Sequence, residues 1–266
     1  MLRKGDLTQG GITGTLLHFT LPMMVGSFLQ QCYNIADTLI VGQCIGAGAL
    51  AAVGSAYTLM VFLISVLLGL AMGSGTVFSL HYGAGNHVAL RRSIFSSFVL
   101  IGIVTLILNV AVFIWLDPIL RLLQVPQDIY GMMRSYLWII FCGIVFTFIY
   151  NFYASLLRAV GDSVTPLWFL AVSVVLNIAL DLFFILQLDW GIQGAAAATV
   201  LAQGVAALGI IIYTYRRRPE LRWHHEDMCF DRTCLKEIAS FSTLTCIQQS
   251  VMNLGILMVQ GLVNSF

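Results

Sequence analysis

Charged residues are scarce in this sequence. Lys, Arg, Asp and Glu make up 9% of the 266 residues, whereas hydrophobic residues make up 59%, and the mean hydropathy is +0.92. A water-soluble domain carries roughly a quarter of its residues as charged side chains. The deficit excludes an ordinary soluble domain and indicates an integral membrane protein. Because the net charge is only +1, no basic field favours a nucleic-acid partner.

Catalytic and covalent signatures are also missing. The five His residues fall at the ends of hydrophobic segments or between them, and no nucleophile–base–acid set is visible. The glycine-rich stretch 69–75 lacks the Lys that follows a phosphate-binding loop. The six cysteines are scattered and predict no disulfide framework. We therefore expect no enzymatic activity and no cofactor.

Long uncharged stretches take up most of the chain. A helix needs about 20 apolar residues to cross a bilayer, so each such stretch predicts one transmembrane helix. The segment from Gly10 to Ile40 adds a first helix, and the region up to Arg91 leaves room for a second. The prediction is an all-α membrane protein with seven transmembrane helices. The stretches without Lys, Arg, Asp or Glu are 93–116, 135–157, 163–180, 190–215 and 238–266.

Basic residues are distributed unevenly between the predicted loops. With the N-terminus in the cytoplasm and alternating sides thereafter, 11 of the 13 Lys and Arg residues fall on the cytoplasmic side. Only Arg121 and Arg134 lie outside. Since cytoplasmic loops of membrane proteins carry the excess of basic residues, we predict a multi-pass protein with a cytoplasmic N-terminus.

The chain divides at its longest charged segment. We predict a six-helix lobe over residues 1–215, a cytoplasmic linker over 216–237, and one further helix over 238–266. The pairs Gln30-Gln31 and Gln248-Gln249 give the first and last helices a faint similarity. Because transporters are commonly built from repeated halves, we expect a fragment that lacks most of a second, C-terminal lobe. A complete seven-helix protein is the alternative.

Two acidic residues, Asp37 and Asp181, lie inside predicted transmembrane helices. A charged side chain near the bilayer centre costs roughly 2.5–3.5 kcal/mol on insertion scales. No Lys or Arg lies inside these helices to neutralise the carboxylates. We therefore expect the pair to hold a proton, or to give it up and coordinate sodium through oxygen ligands.

Neighbouring residues support this hypothesis. Asn177 precedes Asp181 by about one helical turn, so that its amide oxygen can join the site. Pro22 lies inside the first helix, where it removes a backbone hydrogen bond and permits a kink. A bend that depends on the state of Asp37 would be a two-state element. The alternative is that each Asp caps a helix or lies at the membrane interface, which Gly42 supports for Asp37.

Several segments follow one another in a specific order along the chain. They are Leu21-Pro22 with Tyr33-Asn34-Ile35-Ala36-Asp37-Thr38 and Gly42, then Leu157 to Ser163 with Thr165-Pro166, then Asn177 to Asp181, then Gly191 to Thr199, and finally Val259 to Phe266. As an ordered set they resemble the multidrug and toxic compound extrusion (MATE) family, prokaryotic branch.

The resemblance implies a twelve-helix protein of two six-helix lobes in the bacterial inner membrane. Such a protein exports drugs and other organic, often cationic, compounds in exchange for sodium or protons. The family's cation-binding positions correspond here to Asp37, Asp181, Asn177, Thr199 and Tyr136. Gln30 and Asn151 would face the substrate cavity.

The leading hypothesis is a cation-coupled antiporter. Its partners would be a small-molecule substrate, membrane lipid and the missing C-terminal lobe, and the fragment alone would not transport. One alternative is a lipid-linked precursor flippase of the same superfamily, although such proteins often line the cavity with basic residues that this half lacks. The other alternative is a non-transporting membrane scaffold, which would leave the two buried carboxylates unexplained.

Overall fold

The computed structural model describes residues 12–122, 125–222 and 232–263, and this part of the chain is helical, without strands. This confirms the predicted all-α fold. A π-helical turn, Phe183–Gln187, and a short 3-10 turn, Pro219–Leu221, interrupt the α-helices. The α-helices are α1 (Ile12–Cys44), α2 (Ala47–Gly83), α3 (His87–Leu122), α4 (Gln127–Cys142), α5 (Ile144–Ala159), α6 (Val164–Leu182), α7 (Gly191–Arg217) and α8 (Arg232–Val263).

Five of the predicted membrane spans are identified in the described residues. In the described residues α2, α3, α6 with its π-helical turn, and α7 are long and apolar enough to cross a bilayer, and α4 with α5 forms a fifth, bent span. The other two predicted spans, α1 and α8, are helices of 33 and 32 residues, and their crossing of the bilayer stays a prediction.

The predicted fourth span is broken in the middle. The axes of α4 and α5 differ by 48°, and the break falls at Gly143, whose N–H donates to the carbonyls of Ile139 and Ile140 at 3.3 and 2.9 Å. A Cβ atom at Gly143 would lie 2.7 Å from Cγ1 of Val200 on α7. Glycine at this position therefore allows the bent segment between α4 and α5 to pack directly against α7.

Aromatic side chains fill the centre of the bundle between α2, α3 and α5. Phe98 contacts Phe148 and Phe152 with ring centroids 5.3 Å apart in each case. Phe78 meets Phe152 edge to face at 5.9 Å, and the rings of Phe78 and Phe152 are completely buried. Edge-to-face and tilted ring pairs contribute beyond simple area burial, so this cluster fixes the mutual positions of the three helices.

The outer surface of the bundle is apolar. On α3 alone, five apolar side chains are about half exposed or more. They are Ile103, Leu106, Ile107, Val110 and Ile114. Contiguous exposed apolar surface of this extent marks contact with lipid rather than water.

The last helix packs closely against the second. The most extensive helix pair in the described chain is α2 with α8, and the two backbones nearly touch at Gly69 and Gly73. A Cβ atom at Gly69 would lie 2.8 Å from Cα of Cys246, and one at Gly73 would collide with the backbone of Ser242. Small residues at such crossings are typical of helix packing in membranes.

The predicted linker 216–237 falls only partly within the described residues. The helix α7 runs through Arg217, and α8 begins at Arg232, while 223–231 lies outside the described ranges. The two lobes and the linker as a domain division stay a prediction.

Candidate functional site

The two intramembrane acids come together where α1 packs against α6. Asp37 lies in the last third of α1 and is partly exposed, whereas Asp181 is the penultimate residue of α6 and is completely buried. Their carboxyl groups are close enough to influence each other electrostatically. Neither caps a helix, because α1 continues to Cys44 and a π-helical turn continues α6. The capping alternative considered from the sequence is therefore wrong for both.

This pair of acids has no basic partner among the described residues. The ion pairs of that part of the chain lie elsewhere, and Oδ1 of Asp37 and Oδ1 of Asp181 are buried without a hydrogen-bond partner there. Two neighbouring negative charges repel each other in a low-dielectric interior. A proton or a cation that neutralises one of them would relieve this repulsion. The ion pairs are His81–Glu237, Arg134–Asp117, Arg218–Asp162 and Arg218–Glu220.

The amide of Asn177 connects Asp181 to α7. In one orientation its nitrogen donates to Oγ1 of Thr199 at 3.3 Å. With oxygen and nitrogen exchanged, the nitrogen donates to Oδ2 of Asp181 at 2.9 Å and the oxygen accepts from the backbone N–H of Thr199 at 3.2 Å. We adopt the second orientation because it satisfies both ends of the amide.

Two tyrosines lie in the same site as the acids. Tyr136 lies in the middle of α4 and is 4% exposed, within electrostatic range of Asp37 and Asp181. Tyr33, on α1, shares a 3.3 Å hydrogen bond between its hydroxyl and Oγ1 of Thr199. The sequence analysis did not assign Tyr33 to the site, although it lies one helical turn before Asp37 and so on the same helical face.

We refer to Asp37, Asp181, Asn177, Thr199, Tyr33 and Tyr136 as the carboxylate site. The structure brings together all five residues predicted to bind the cation and adds Tyr33. That these residues bind a cation stays a prediction.

The turn between α6 and α7 positions Thr199 beside the acids. The extra residue of the π-helical turn widens the helix directly after Asp181, and such turns often occur at functional sites. Asp189 and Gly191 take positive φ angles of 52° and 53° that reverse the chain. Gly194 then lets α7 approach closely, since a Cβ there would lie 3.0 Å from Cβ of Phe184.

The other predicted residues lie away from the carboxylate site. Pro22 is inside α1, about four turns before Asp37. Gln30 is exposed on α1, and Nδ2 of Asn151 donates to the carbonyl of Thr147 one turn earlier at 2.8 Å. No hydrogen bond joins Gln30 or Asn151 to the acids in the described chain, so their place in a substrate cavity stays a prediction.

Comparison with known proteins identifies relatives over most of the chain. A family model described as MatE matches residues 22–183. The "Probable multidrug resistance protein YpnP" of Bacillus subtilis (strain 168) is 36% identical over 217 residues, which are 82% of this chain and 49% of that protein. The "Multidrug export protein MepA" of Staphylococcus saprophyticus is 31% identical over 210 residues, 76% of this chain and 45% of that protein.

Solved structures show the same fold. One is a multidrug resistance MATE family transporter of the MOP superfamily in an outward-facing conformation. It superposes with a TM-score of 0.87 at 24% identity, over 93% of this chain and 55% of that one. The chain spans about half the length of the curated relatives it matches. Because the family model matches more than half of the chain, this membrane protein belongs to the MatE family.

Proposed function

We propose that this chain provides the cation-binding lobe of a bacterial transporter that exports drugs or other organic compounds in exchange for sodium or protons. One observation carries the proposal: Asp37 and Asp181 face each other without a basic partner among the described residues. The names of YpnP and MepA as multidrug resistance and multidrug export proteins support drugs as the substrate class.

The surrounding oxygens suit either coupling ion. With one proton shared between them, one carboxyl group is neutral and donates a hydrogen bond to the other, which is an anionic carboxylate. When the proton leaves, both carboxylates become ligands for sodium, and rotation of the Asn177 amide turns a third oxygen toward Asp181. Carboxylate and amide oxygens are the ligands that hard cations prefer.

Coupling to the substrate follows from the position of the site on α1. Binding or release of the cation changes the force between Asp37 on α1 and Asp181 on α6. Pro22 gives α1 a point where it bends at low cost. A bend alters the exposed face of α1, where Gln30 lies. In an antiporter the cation and the substrate weaken each other's binding, and thermodynamic linkage makes these two effects equal.

We further propose that the N-terminus is cytoplasmic and that the protein lies in the bacterial inner membrane. The distribution of Lys and Arg between the loops supports this orientation. In this orientation the substrate would leave the cell and the cation would enter it, both through the lobe that contains the carboxylate site.

The proposal is tested by Asp37→Asn, which keeps the shape of the side chain but cannot carry the charge. In cells that produce the protein we expect loss of cation-driven efflux and of drug resistance. In the purified chain, sodium or a change in pH should no longer shift the thermal midpoint. For the unchanged chain, a ligand at one hundred times its Kd stabilises by about 2.7 kcal/mol.

Asp117→Asn is the matched control. Its carboxylate forms an exposed ion pair with Arg134 at 2.8 Å and accepts a hydrogen bond from Tyr130 at 2.9 Å. Neither partner belongs to the carboxylate site, so removing this charge should leave efflux and cation response intact. Normal efflux by the Asp37→Asn protein would refute the proposal.

A further inference from the structure

In the short turn between α5 and α6, two adjacent residues, Asp162 and Ser163, form hydrogen bonds to different helices. Ser163 occupies the residue before α6, where a Ser hydroxyl normally accepts from the first helical N–H groups, but it forms no such bond. Asp162 takes over this role: Oδ1 accepts from the N–H of Thr165 at 3.0 Å and Oδ2 from its hydroxyl at 2.8 Å. The hydroxyl of Ser163 is thereby free to bond outside its own helix.

That hydroxyl bonds to α1. Oγ of Ser163 donates to the carbonyl of Phe19 at 2.9 Å, and Ser163 is only 5% exposed. Phe19 lies in the helical turn just before Pro22, which proline loosens because it has no N–H and its ring pushes against the preceding carbonyls. The bond therefore holds the first part of α1 beside its weakest point.

The same turn is tied to the end of α7. Nη2 of Arg218 lies 3.4 Å from Oδ2 of Asp162, and Nη1 of Arg218 lies 3.5 Å from Glu220. The Arg218 and Asp162 side chains are 21% and 12% exposed, so solvent screens this pair less than a surface ion pair. Three helices thus meet at two adjacent residues of the turn.

We propose that the Asp162-Ser163 turn is an anchor that fixes the start of α1, so that any displacement of Asp37 is taken up as a bend at Pro22. This inference rests on the proposed cation-coupled function. Without an anchor, a change at Asp37 would shift or tilt α1 as a rigid rod. With the segment up to Phe19 fixed, the same change moves only the part of α1 beyond Pro22, which carries Gln30, Tyr33 and Asp37.

Ser163 therefore acts as a positioning residue, and the carboxylate site itself does not need it. The cation should bind with little change when Ser163 is altered, but binding should no longer produce a localised bend. This separation of cation binding from α1 movement distinguishes an anchor from a residue that only contributes stability.

The experiment compares Ser163→Ala with Ser155→Ala and Ser163→Thr in the complete protein. Ser155 is a matched control, because it is also 5% exposed and also donates to a carbonyl of another helix, that of Ala71 on α2, at 2.8 Å. Hydrogen–deuterium exchange of α1 is measured with and without the coupling cation, together with the cation-dependent thermal midpoint and drug efflux.

We expect the unchanged protein and Ser155→Ala to show a cation-dependent change in exchange only beyond Pro22. In Ser163→Ala the change should spread to residues 12–21, efflux should fall at least fivefold, and the cation concentration for half-maximal stabilisation should stay within twofold. Ser163→Thr, which keeps the hydroxyl, should restore both the pattern and efflux.

The outcomes separate the two proposals. If the unchanged protein shows neither cation-dependent stabilisation nor efflux, the proposed function fails. If it shows both and Ser163→Ala matches Ser155→Ala in exchange and efflux, the function stands and the anchor is refuted.

Discussion

At the scale of single residues, the carboxylate site is held by hydrogen bonds that run between helices. Tyr33 on α1 bonds to Thr199 on α7, and Asn177 on α6 joins Thr199 to Asp181. Tyr33, Asn177 and Thr199 are thus each fixed by a second helix. A site built this way keeps its geometry only while α1, α6 and α7 stay packed.

Tyr33→Phe tests the contribution of the bond to Thr199. A neutral hydrogen bond contributes about 0.5–1.5 kcal/mol, so we expect the apparent affinity for the coupling cation to fall about fivefold while binding persists. The measurement is the cation concentration that gives half-maximal thermal stabilisation. Tyr57→Phe, at an exposed position on α2, should leave this concentration unchanged, and an unchanged value for Tyr33→Phe would contradict the role assigned here.

Chemistry made three of these six residues predictable, namely Asp37, Asp181 and Asn177. An acid in an apolar helix stands out by its energetic cost, and Asn177 follows from Asp181 by helical spacing. Tyr33 was missed because a tyrosine in a membrane helix carries no comparable cost, so nothing in its own identity marks it. Thr199 and Tyr136 could be named only through family resemblance, since their distance in sequence from both acids hides their proximity.

At the scale of elements, the bend between α4 and α5 brings α4 and its Tyr136 against α7. We expect Gly143→Ala to destabilise the protein by about 1–3 kcal/mol, the usual range for overpacking, because the new methyl group would overlap Val200. The measurement is the thermal midpoint in detergent.

Adding Val200→Ala should recover most of this loss by removing the overlapping methyl groups. Gly131→Ala in α4, where a Cβ atom meets nothing within 4 Å, is the control and should not destabilise. A Gly143→Ala protein as stable as this control would show that α5 and α7 are further apart than described.

The crossing of α2 and α8 gives a second prediction, based on two glycines of the same helix. Glycine inside a helix is less stable than alanine by roughly 0.5–1 kcal/mol, and Gly54 has open space for a methyl group. Gly54→Ala should therefore raise the thermal midpoint. Gly73→Ala should lower it, since the methyl group would meet the backbone of Ser242. Equal shifts of the same sign would rule out the close crossing.

Hydropathy predicted the positions of the helices but could not predict their breaks. The uncharged run 135–157 reads as one straight span, whereas the chain is bent at Gly143. A single glycine in an apolar run is compatible with a straight helix or a bent one. Which of the two forms depends on the contact with Val200, which the sequence does not reveal. The same holds for the π-helical turn after Asp181, whose five residues, Phe183–Gln187, look like ordinary helix formers.

At the scale of the whole molecule, orientation in the membrane determines which way the site opens. The basic residues predict that the connection between α2 and α3 is cytoplasmic and that the connection between α3 and α4 is external. In a cysteine-free background, an impermeant thiol reagent added to intact cells should label Gln127→Cys and spare Ala84→Cys. Both positions are exposed. The reverse pattern would invert the proposed direction of transport.

The π-helical turn has a consequence for insertions and deletions. Its backbone bond from Leu188 to the carbonyl of Phe183, at 3.3 Å, spans five residues, one more than in an α-helix. Removing one residue of this turn would let it take ordinary α-helical winding, and the chain that follows would keep nearly the same direction. Removing one residue of α6 between Asn177 and Asp181 would instead rotate these two side chains apart by roughly 100° about the helix axis. A length change at the π-helical turn should therefore spare the carboxylate site, whereas the same change one turn earlier would dismantle it.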